Sequence, residues 1–386
     1  INPTTLSSPP SLLRQIRPLP SIDILLPAKE RFAAANAGAI SGVVNDLVAA
    51  SQTGSCFRIC GTMVENPLNN HRFMGLRPRG KWFQGNNIGC AADYLAQIEK
   101  TGAPDLLEVH NRCHVATYIK QRQPDLRVSL YLHNDPRDMK GGRSVDDRKS
   151  LLRDMAGIIC VSAYIRDCFL DGLVVDEALA AKVGVARNGA HRWLTNQPVK
   201  HPVILIAGRM VPEKGVLECA QALAGILPNH PDWRLVIAGA KRFEASTRGT
   251  YEAQISKVIE SLGEQAIMTG FIPIDEVRKW QAKAAISACP SLWNDPMPKA
   301  VLESLAAGCA LLTTRRGGIP EVADGRAHIV DTPSIEQFRA AFEKLLTDDG
   351  YLKRLQDAAW NDFPFTANAM ADDADTLRAQ CLLAPI

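Results

Sequence analysis

The segment Gly208-Arg-Met-Val-Pro-Glu-Lys-Gly215 sets two cations between a strand-like run, Val203–Ala207, and a helical-period run that starts at Val216. A loop leaving the carboxyl end of a strand into a helix N-terminus presents free N–H groups at the positive end of the helix dipole, where an anion sits well. Arg209 can fork onto phosphate oxygens and Lys214 can act as a point charge, so a diphosphate is the natural ligand; taken alone, the segment also fits a basic surface turn. A second strand end, Pro290 to Gly308, holds Asp295 in a Pro-rich turn and Glu303 in the helix that follows. Two carboxylates so spaced can accept hydrogen bonds from the hydroxyls of one elongated ligand, or be a helix-start acid and a solvated Glu. Thr313-Thr-Arg-Arg-Gly-Gly-Ile-Pro-Glu321 adds a glycine pair and another helix start, with Pro320 suited to a first turn. A ligand carrying phosphates and sugar hydroxyls needs all three kinds of contact, and they follow in order within one domain. Two histidines end consecutive strands upstream, His110 in Glu108-Val-His-Asn111 and His133 in Tyr131-Leu-His-Asn-Asp135. Strand ends are where α/β proteins place functional side chains, although a strand-end His can also be satisfied locally.

The elements that must position these residues alternate short β-rich apolar runs with helical-period segments, the pattern of βαβ units and parallel sheets. Strands are expected at Ile22–Pro27, Cys56–Cys60, Leu106–His110, Val128–His133, Gly157–Val161 and Val183–Ala186. The second half repeats the rhythm at Val203–Ala207, Arg234–Ala238, Ile267–Thr269, Ala285–Cys289, Ala310–Thr313 and His328–Val330. Its helices are expected around Val216–Leu227, Gln254–Leu262, Glu276–Ala282, Lys299–Ala307 and Ile335–Leu346. The fold class is therefore α/β, with two doubly wound Rossmann-like domains at 1–198 and 199–365 facing across a cleft, joined by a polar linker from Asn188 to Pro202. Residues 366–386 form a final helix, with Thr366 as a candidate N-cap. The stretch 69–87 has no acid and sets Arg72, Arg77, Arg79 and Lys81 among Phe73, Trp82 and Phe83. It reads as a long loop, either a solvated connection with aromatics tucked inward or a surface for acceptor or membrane.

Composition bounds the rest. A chain of 386 residues with 46% hydrophobic and 22% charged residues is globular and long enough for two domains. A net charge of +3 is too small for an obligate nucleic-acid binder. It divides unevenly, about +7 over residues 1–200 and about −4 beyond, so the first half is the side for an anionic surface. Ten cysteines without a C-x-x-C pair read as reduced structural thiols in a cytosolic protein. Neither an apolar span of membrane length nor a signal-peptide pattern is visible. The phosphate-loop, dinucleotide and nucleophile-elbow motifs are missing. The one D-x-D, Asp373-Ala-Asp375, reads as solvated helix surface and not as a manganese site, so no metal is expected.

The motifs taken together resemble the large family 4 group of retaining nucleotide-sugar glycosyltransferases, built from two Rossmann-like domains in the arrangement called GT-B. The resemblance rests on G-R-x(4)-K-G at Gly208–Gly215, V-I-A-G at Val236–Gly239 and T-G-F-I-P-x-D-E at Thr269–Glu276. It continues through D-P-x(5)-L-E-S-L-A-x-G at Asp295–Gly308, G-G-I-P-E-V at Gly317–Val322 and R-N-G at Arg187–Gly189, covering the chain from about Asp105 onward. It implies that Arg209 and Lys214 neutralise the donor diphosphate with Gly208 beside them. Glu303 would hold the nucleotide ribose, Asp295 would face the donor sugar, and His133, with His110 near it, would contact that sugar from the first domain. Gly38 would belong to a Gly-rich loop reaching the donor phosphate and acceptor, and Gly270, Phe271 and Ile272 to the loop that reads the base.

The sequence departs from the family pattern where Asp295 replaces a commoner Glu and Met297-Pro298-Lys299 replaces Phe-Gly-aliphatic. Lys299 adds a cation near sugar or phosphate, which bears on sugar identity more than on reaction type. The resemblance implies a retaining, metal-independent hexosyltransferase with no cofactor beyond its UDP- or GDP-sugar donor. The acceptor would be a glycan or lipid-linked molecule in bacterial polysaccharide or glycolipid assembly, with the enzyme cytoplasmic or peripheral at the inner face of the membrane. The final helix would cross back onto the first domain as a second hinge strand. A sugar-nucleotide epimerase of the same fold and a non-catalytic two-domain binding protein are the alternatives.

Overall fold

The computed structural model describes residues 12–33, 37–68, 72–240 and 249–384, with only the backbone of 81–84. Two compact units divide the chain, one of residues 1–188 and 367–386, the other of residues 189–366. The segment 189–198 thus counts with the second unit, ten residues ahead of the boundary expected from the polar stretch.

The first unit is a seven-stranded sheet of β1 (Ile22–Leu25), β2 (Phe57–Thr62), β3 (Phe73–Leu76), β4 (Leu106–His110), β5 (Val128–Leu132), β6 (Gly157–Cys160) and β7 (Val183–Val185). All neighbours are parallel, in the order β3-β2-β1-β4-β5-β6-β7. Every residue of β1, β4, β5 and β6 is buried, as a parallel sheet covered on both faces requires. Helix Ala367–Leu383 packs in this unit, against helix Ala39–Ala50 and strands β6 and β7.

The second unit holds β8 (His201–Ala207), β9 (Arg234–Ala238), β10 (Ala266–Gly270), β11 (Ala284–Cys289), β12 (Ala310–Thr314) and β13 (Ala327–Val330), all parallel. Their order, β10-β9-β8-β11-β12-β13, reverses direction between β8 and β11. Alternating residues feed two cores. Ile204, Ile206, Leu235 and Ile237 meet Cys219 and Leu223 of helix Val216–Ala224 and Phe338 and Phe342 of helix Ile335–Thr347. Val203, Leu205, Val236 and Ala238 meet Ala307, Cys309, Trp193 and Trp280.

Three expectations are corrected. The stretch 69–87 is not a loop, because Phe73–Leu76 is edge strand β3 and a helix begins at Lys81. Phe73 stacks on Phe32 at 5.7 Å, while residues 69–71 and the side chains of Lys81, Trp82 and Phe83 lie outside the described residues. The polar linker ends at Lys200, since His201 and Pro202 already belong to β8. Proline is tolerated in this central strand because the pairing with β11 is irregular there and regular register with β9 begins at Val203. Asp375 of the D-x-D is not solvated: it is fully buried and ion-paired to Arg378 at 3.0 Å.

Candidate functional site

The reversal between β8 and β11 opens a crevice at the carboxyl ends of these strands, where doubly wound sheets bind ligands. Three loops converge on it. After β8, Pro212–Lys214 forms a single 3-10 turn closed by Gly215, whose left-handed φ of 66° and close approach to the Pro290 carbonyl leave no room for a Cβ. The Leu292 N–H donates to the Glu213 carbonyl at 2.9 Å, which ties this turn to the loop after β11. That loop is in turn held by the loop after β12. The Thr314 hydroxyl donates to the Ser291 carbonyl at 2.6 Å, and the Gly318 N–H to the Asp295 carbonyl at 2.8 Å. Gly317, with φ 55°, lies against that same carbonyl.

The result is a charge-assisted hydrogen bond from the Lys214 ammonium to Asp295 Oδ2, with the Ser291 hydroxyl donating to the same oxygen at 3.4 Å. Asp295 is only 4% exposed, and the Lys214 ammonium is the cation paired with it. The Lys214 ammonium also lies 5.8 Å from the centroid of the Trp293 ring. Cys289, at the end of β11, registers the surrounding charges. Burial pushes its thiol up to about 12, with Lys214 pulling down and Asp295 and Glu303 pushing up. Lys214, Asp295 and Glu303 therefore share one neighbourhood.

Arg209 is exposed and makes no side-chain hydrogen bond or ion pair with another described residue. A terrace of bare backbone extends beside it. The Gly208 N–H donates to the Ala238 carbonyl at 3.0 Å and the Gly239 N–H to the Gly270 carbonyl at 2.8 Å. Gly239, at φ 136°, lies so close to the Gly208 carbonyl that any Cβ would collide with it. Gly270 is left-handed, Phe271 is largely exposed and Ile272 packs beneath on the sheet. Met297 is buried, Pro298 caps helix Lys299–Ala306 and Lys299 opens it half-exposed. Two cations and a shielded carboxylate, beside glycines that let a ligand approach the backbone closely, can hold a polyanion bearing hydroxyls.

The first unit places His133 just past β5, 8% exposed, and His110 at the end of β4, fully buried. His110 Nδ1 lies 2.9 Å from His133 Nε2, and His110 Nε2 lies 2.8 Å from Glu108 Oε1. Both His110 nitrogens are thus engaged within the protein, which corrects its expected place as a ligand contact: it stands behind His133. Burial and the adjacent His110 hold His133 well below the usual imidazole range. Burial alone would raise the Glu108 carboxyl, but Arg378 and His110 outweigh it and hold it at about 2. Gly38 is the N-cap of helix Ala39–Ala50, and the Glu30 carboxylate occupies that helix start, accepting from the Ser41 N–H at 3.3 Å. An acid thus stands at the helix end expected to face a phosphate; Asn36 beside it lies outside the described residues.

Sequence reasoning missed Glu108, Arg378, Asp375, Ser291 and Glu30. Glu108 carried a usable signal, since a carboxylate inside Leu-Leu-Glu-Val-His demands a buried partner. Arg378 carried none, because its partner is 270 residues away. Among the described residues no cluster of His, Cys, Asp and Glu fits a metal ion, and no helix is long and apolar enough to cross a membrane.

Two doubly wound parallel sheets with a cation–carboxylate pair at a switch point suit a ligand-binding α/β protein, and comparison with known proteins shows what the chain is similar to. Residues 189–362 match the family described as glycosyl transferases group 1. The chain is 29% identical over 281 residues to YtcC of Bacillus subtilis, a provisionally named glycosyltransferase, with 68% of each chain covered. It is 24% identical to the lipopolysaccharide 1,2-N-acetylglucosaminetransferase of Salmonella typhimurium, covering 64% of this chain and 65% of that protein. Among solved structures, Anabaena HepE in complex with UDP and glucose superposes with a TM-score of 0.71 at 14% identity, over 93% of this chain and 99% of that one. Sucrose-phosphate synthase from Thermosynechococcus elongatus gives 0.71 at 18% identity, over 91% and 96%. The chain is thus similar to glycosyltransferases, most directly over residues 189–362, and its two Rossmann-like sheets have the GT-B fold of these structures.

Proposed function

We propose that this transferase moves a sugar, with retention of configuration, from a nucleoside-diphosphate sugar to a glycan or lipid-linked acceptor in polysaccharide or glycolipid assembly. The observation that carries the reading is the Lys214–Asp295 pair at the β8/β11 switch point, with Arg209 exposed at the mouth of the same loop. The UDP bound to HepE and the acetylglucosaminyl transfer in the name of the Salmonella relative support a nucleotide-sugar donor and a glycan product.

Arg209 and Lys214 receive the diphosphate, and Glu303 accepts hydrogen bonds from the ribose. Asp295 faces the sugar with Met297, Pro298 and Lys299 around it, and Gly270, Phe271 and Ile272 line the base. In the first unit, which takes the acceptor, His133 contacts a sugar hydroxyl. As the bond from the anomeric carbon to the phosphate oxygen breaks, its electron pair leaves with the diphosphate and the sugar gains oxocarbenium character. The acceptor oxygen forms the new bond on the same face and gives its proton to the departing phosphate oxygen. The two cations meet the charge that develops, so the transfer is metal-independent.

Turnover with UDP- and GDP-hexoses in the presence of EDTA tests this. The expected result is release of one nucleoside diphosphate, with slow donor hydrolysis when acceptor is omitted and a product whose anomeric configuration matches the donor by NMR. An intact nucleotide sugar carrying an epimerised sugar, or no turnover of any donor, would overturn it.

A further inference from the structure

We propose that Glu108 and His110 are positioning residues that fix the tautomer of His133, holding its Nδ1 bare as a hydrogen-bond acceptor for a ligand hydroxyl. The ligand end of this inference rests on the transferase reading; the tautomer does not.

The chain of contacts starts on helix Ala367–Leu383. The Arg378 guanidinium forks onto Glu108, Nε to Oε2 at 2.8 Å and a terminal nitrogen to Oε1 at 2.7 Å. Its other terminal nitrogen donates to Asp375 at 3.0 Å, and the Ser51 hydroxyl donates to the far oxygen of Asp375 at 2.6 Å. Glu108, Arg378 and Asp375 are all fully buried. Such a network is often no more stabilising than a well-packed apolar one of the same volume, so stability alone does not account for it.

Proton bookkeeping supplies a role for it. An ionised Glu108 can only accept, so the His110 nitrogen 2.8 Å from it, Nε2, carries a hydrogen. Arg378 already claims both Glu108 oxygens, and the negative charge it leaves unbalanced sits on Asp375, where the Ser51 and Thr53 hydroxyls donate, so a second proton on His110 would be a buried cation away from that charge and against the His133 ring. His110 Nδ1 therefore offers a lone pair, and the hydrogen in the 2.9 Å contact belongs to His133 Nε2. In a neutral imidazole the remaining nitrogen is then bare. Nδ1 of His133 has no hydrogen-bond partner among the described residues.

The ring and its backbone are held as well as its proton. Tyr131 stacks on His110 at 4.8 Å and on His133 at 5.0 Å. Asn111 Oδ1 accepts from the N–H groups of both His133 and Asn134 at 3.1 Å. To do so Asn111 adopts φ 54°, a left-handed conformation that Asn tolerates better than most residues.

Nitrogen-15 NMR of histidine-labelled protein without ligand, assigned with His110→Phe and His133→Asn, reads the tautomers directly. Protonated Nε2 and bare Nδ1 on both residues near neutral pH is the expected result. A proton on His133 Nδ1, or a doubly protonated His110, overturns the proposal without touching the transferase reading. His110→Phe keeps the Glu108–Arg378 pair and should release His133 into a mixture of tautomers, with kcat/KM falling about tenfold or more. Folded His110→Phe protein with unchanged kcat/KM overturns the positioning role. If that variant does not fold, the wild-type spectrum still decides the tautomer. Wild-type protein with the expected tautomers and no sugar transfer would instead overturn the transferase reading, and with it the hydroxyl as the ligand of Nδ1.

Discussion

Arg209 and Lys214 stand five residues apart in one motif, yet the structure gives them different dependencies. Arg209 is exposed and unpaired among the described residues, whereas Lys214 neutralises a carboxylate that is 4% exposed. Replacing either by Ala should remove about 2–4 kcal/mol of transition-state stabilisation, read as a loss of kcat/KM. Only Lys214→Ala should also lower the melting temperature, because it strands Asp295 without its cation. Equal melting of the two variants would contradict the pairing, and near-wild-type turnover of both would contradict their role. These residues were legible in the sequence because loop, strand and helix signals around them are all local. The bond that joins Lys214 to Asp295 was not, since it depends on Gly215 and Gly317 letting two loops approach. Gly239→Ala puts a side chain into the Gly208 carbonyl, and loss of nucleotide affinity with little change elsewhere in the fold is the expected outcome of a titration.

The elements were legible wherever a strand is buried on both faces. Leu106–His110 and Arg234–Ala238 fall where the apolar runs place them. Strand β3 escaped because Phe-Met-Gly-Leu is short, carries an interior glycine and sits at an edge between Arg72 and Arg77, where basic residues mask an apolar signal. Helix Asp349–Asn361 escaped because Gln356 and polar neighbours dilute its apolar stripe; Gln356 is buried and donates to the Ala285 carbonyl at 3.2 Å. Helix Ala367–Leu383 was expected, but not the Arg378–Glu108 pair it carries into the first unit. Arg378→Leu strands both Glu108 and Asp375 and should destabilise by about 3–5 kcal/mol in urea titrations, whereas Glu108→Leu leaves Arg378 its bond to Asp375 and should cost less. The double variant should be milder than the sum of the two. Additive losses would mean that the pair is not coupled.

Over the whole molecule the two-unit plan could be read from the repeated βαβ rhythm. Its boundary could not, because residues 189–198 are polar in sequence yet belong to the second unit. Two buried groups of the first unit couple its stability to acid. Glu108 is held at about 2 against an ordinary value of 4.5, so its contribution is complete above the ordinary value and is lost as pH falls from there toward 2. His133 is held below its ordinary 6.5, so the unfolded chain binds that proton first and stability declines as pH drops below 6.5. Denaturation midpoints should therefore fall in two successive steps on acidification, and His133→Asn should weaken the upper one, to which His114 and His328, also lowered by burial, contribute. A flat profile between pH 7 and 5 in the wild type would contradict the buried, neutral His133.

The central claim is that the second unit grips a nucleoside diphosphate through Arg209 and Lys214. Calorimetric titration of UDP and GDP into the wild type, Arg209→Ala and Lys214→Ala tests it most directly. One of the two nucleotides should bind the wild type, stabilising it by about 2.7 kcal/mol at a hundredfold excess over Kd, with tenfold or greater weakening in each variant. Unchanged affinity in both variants, or a wild type that binds neither nucleotide, would contradict it.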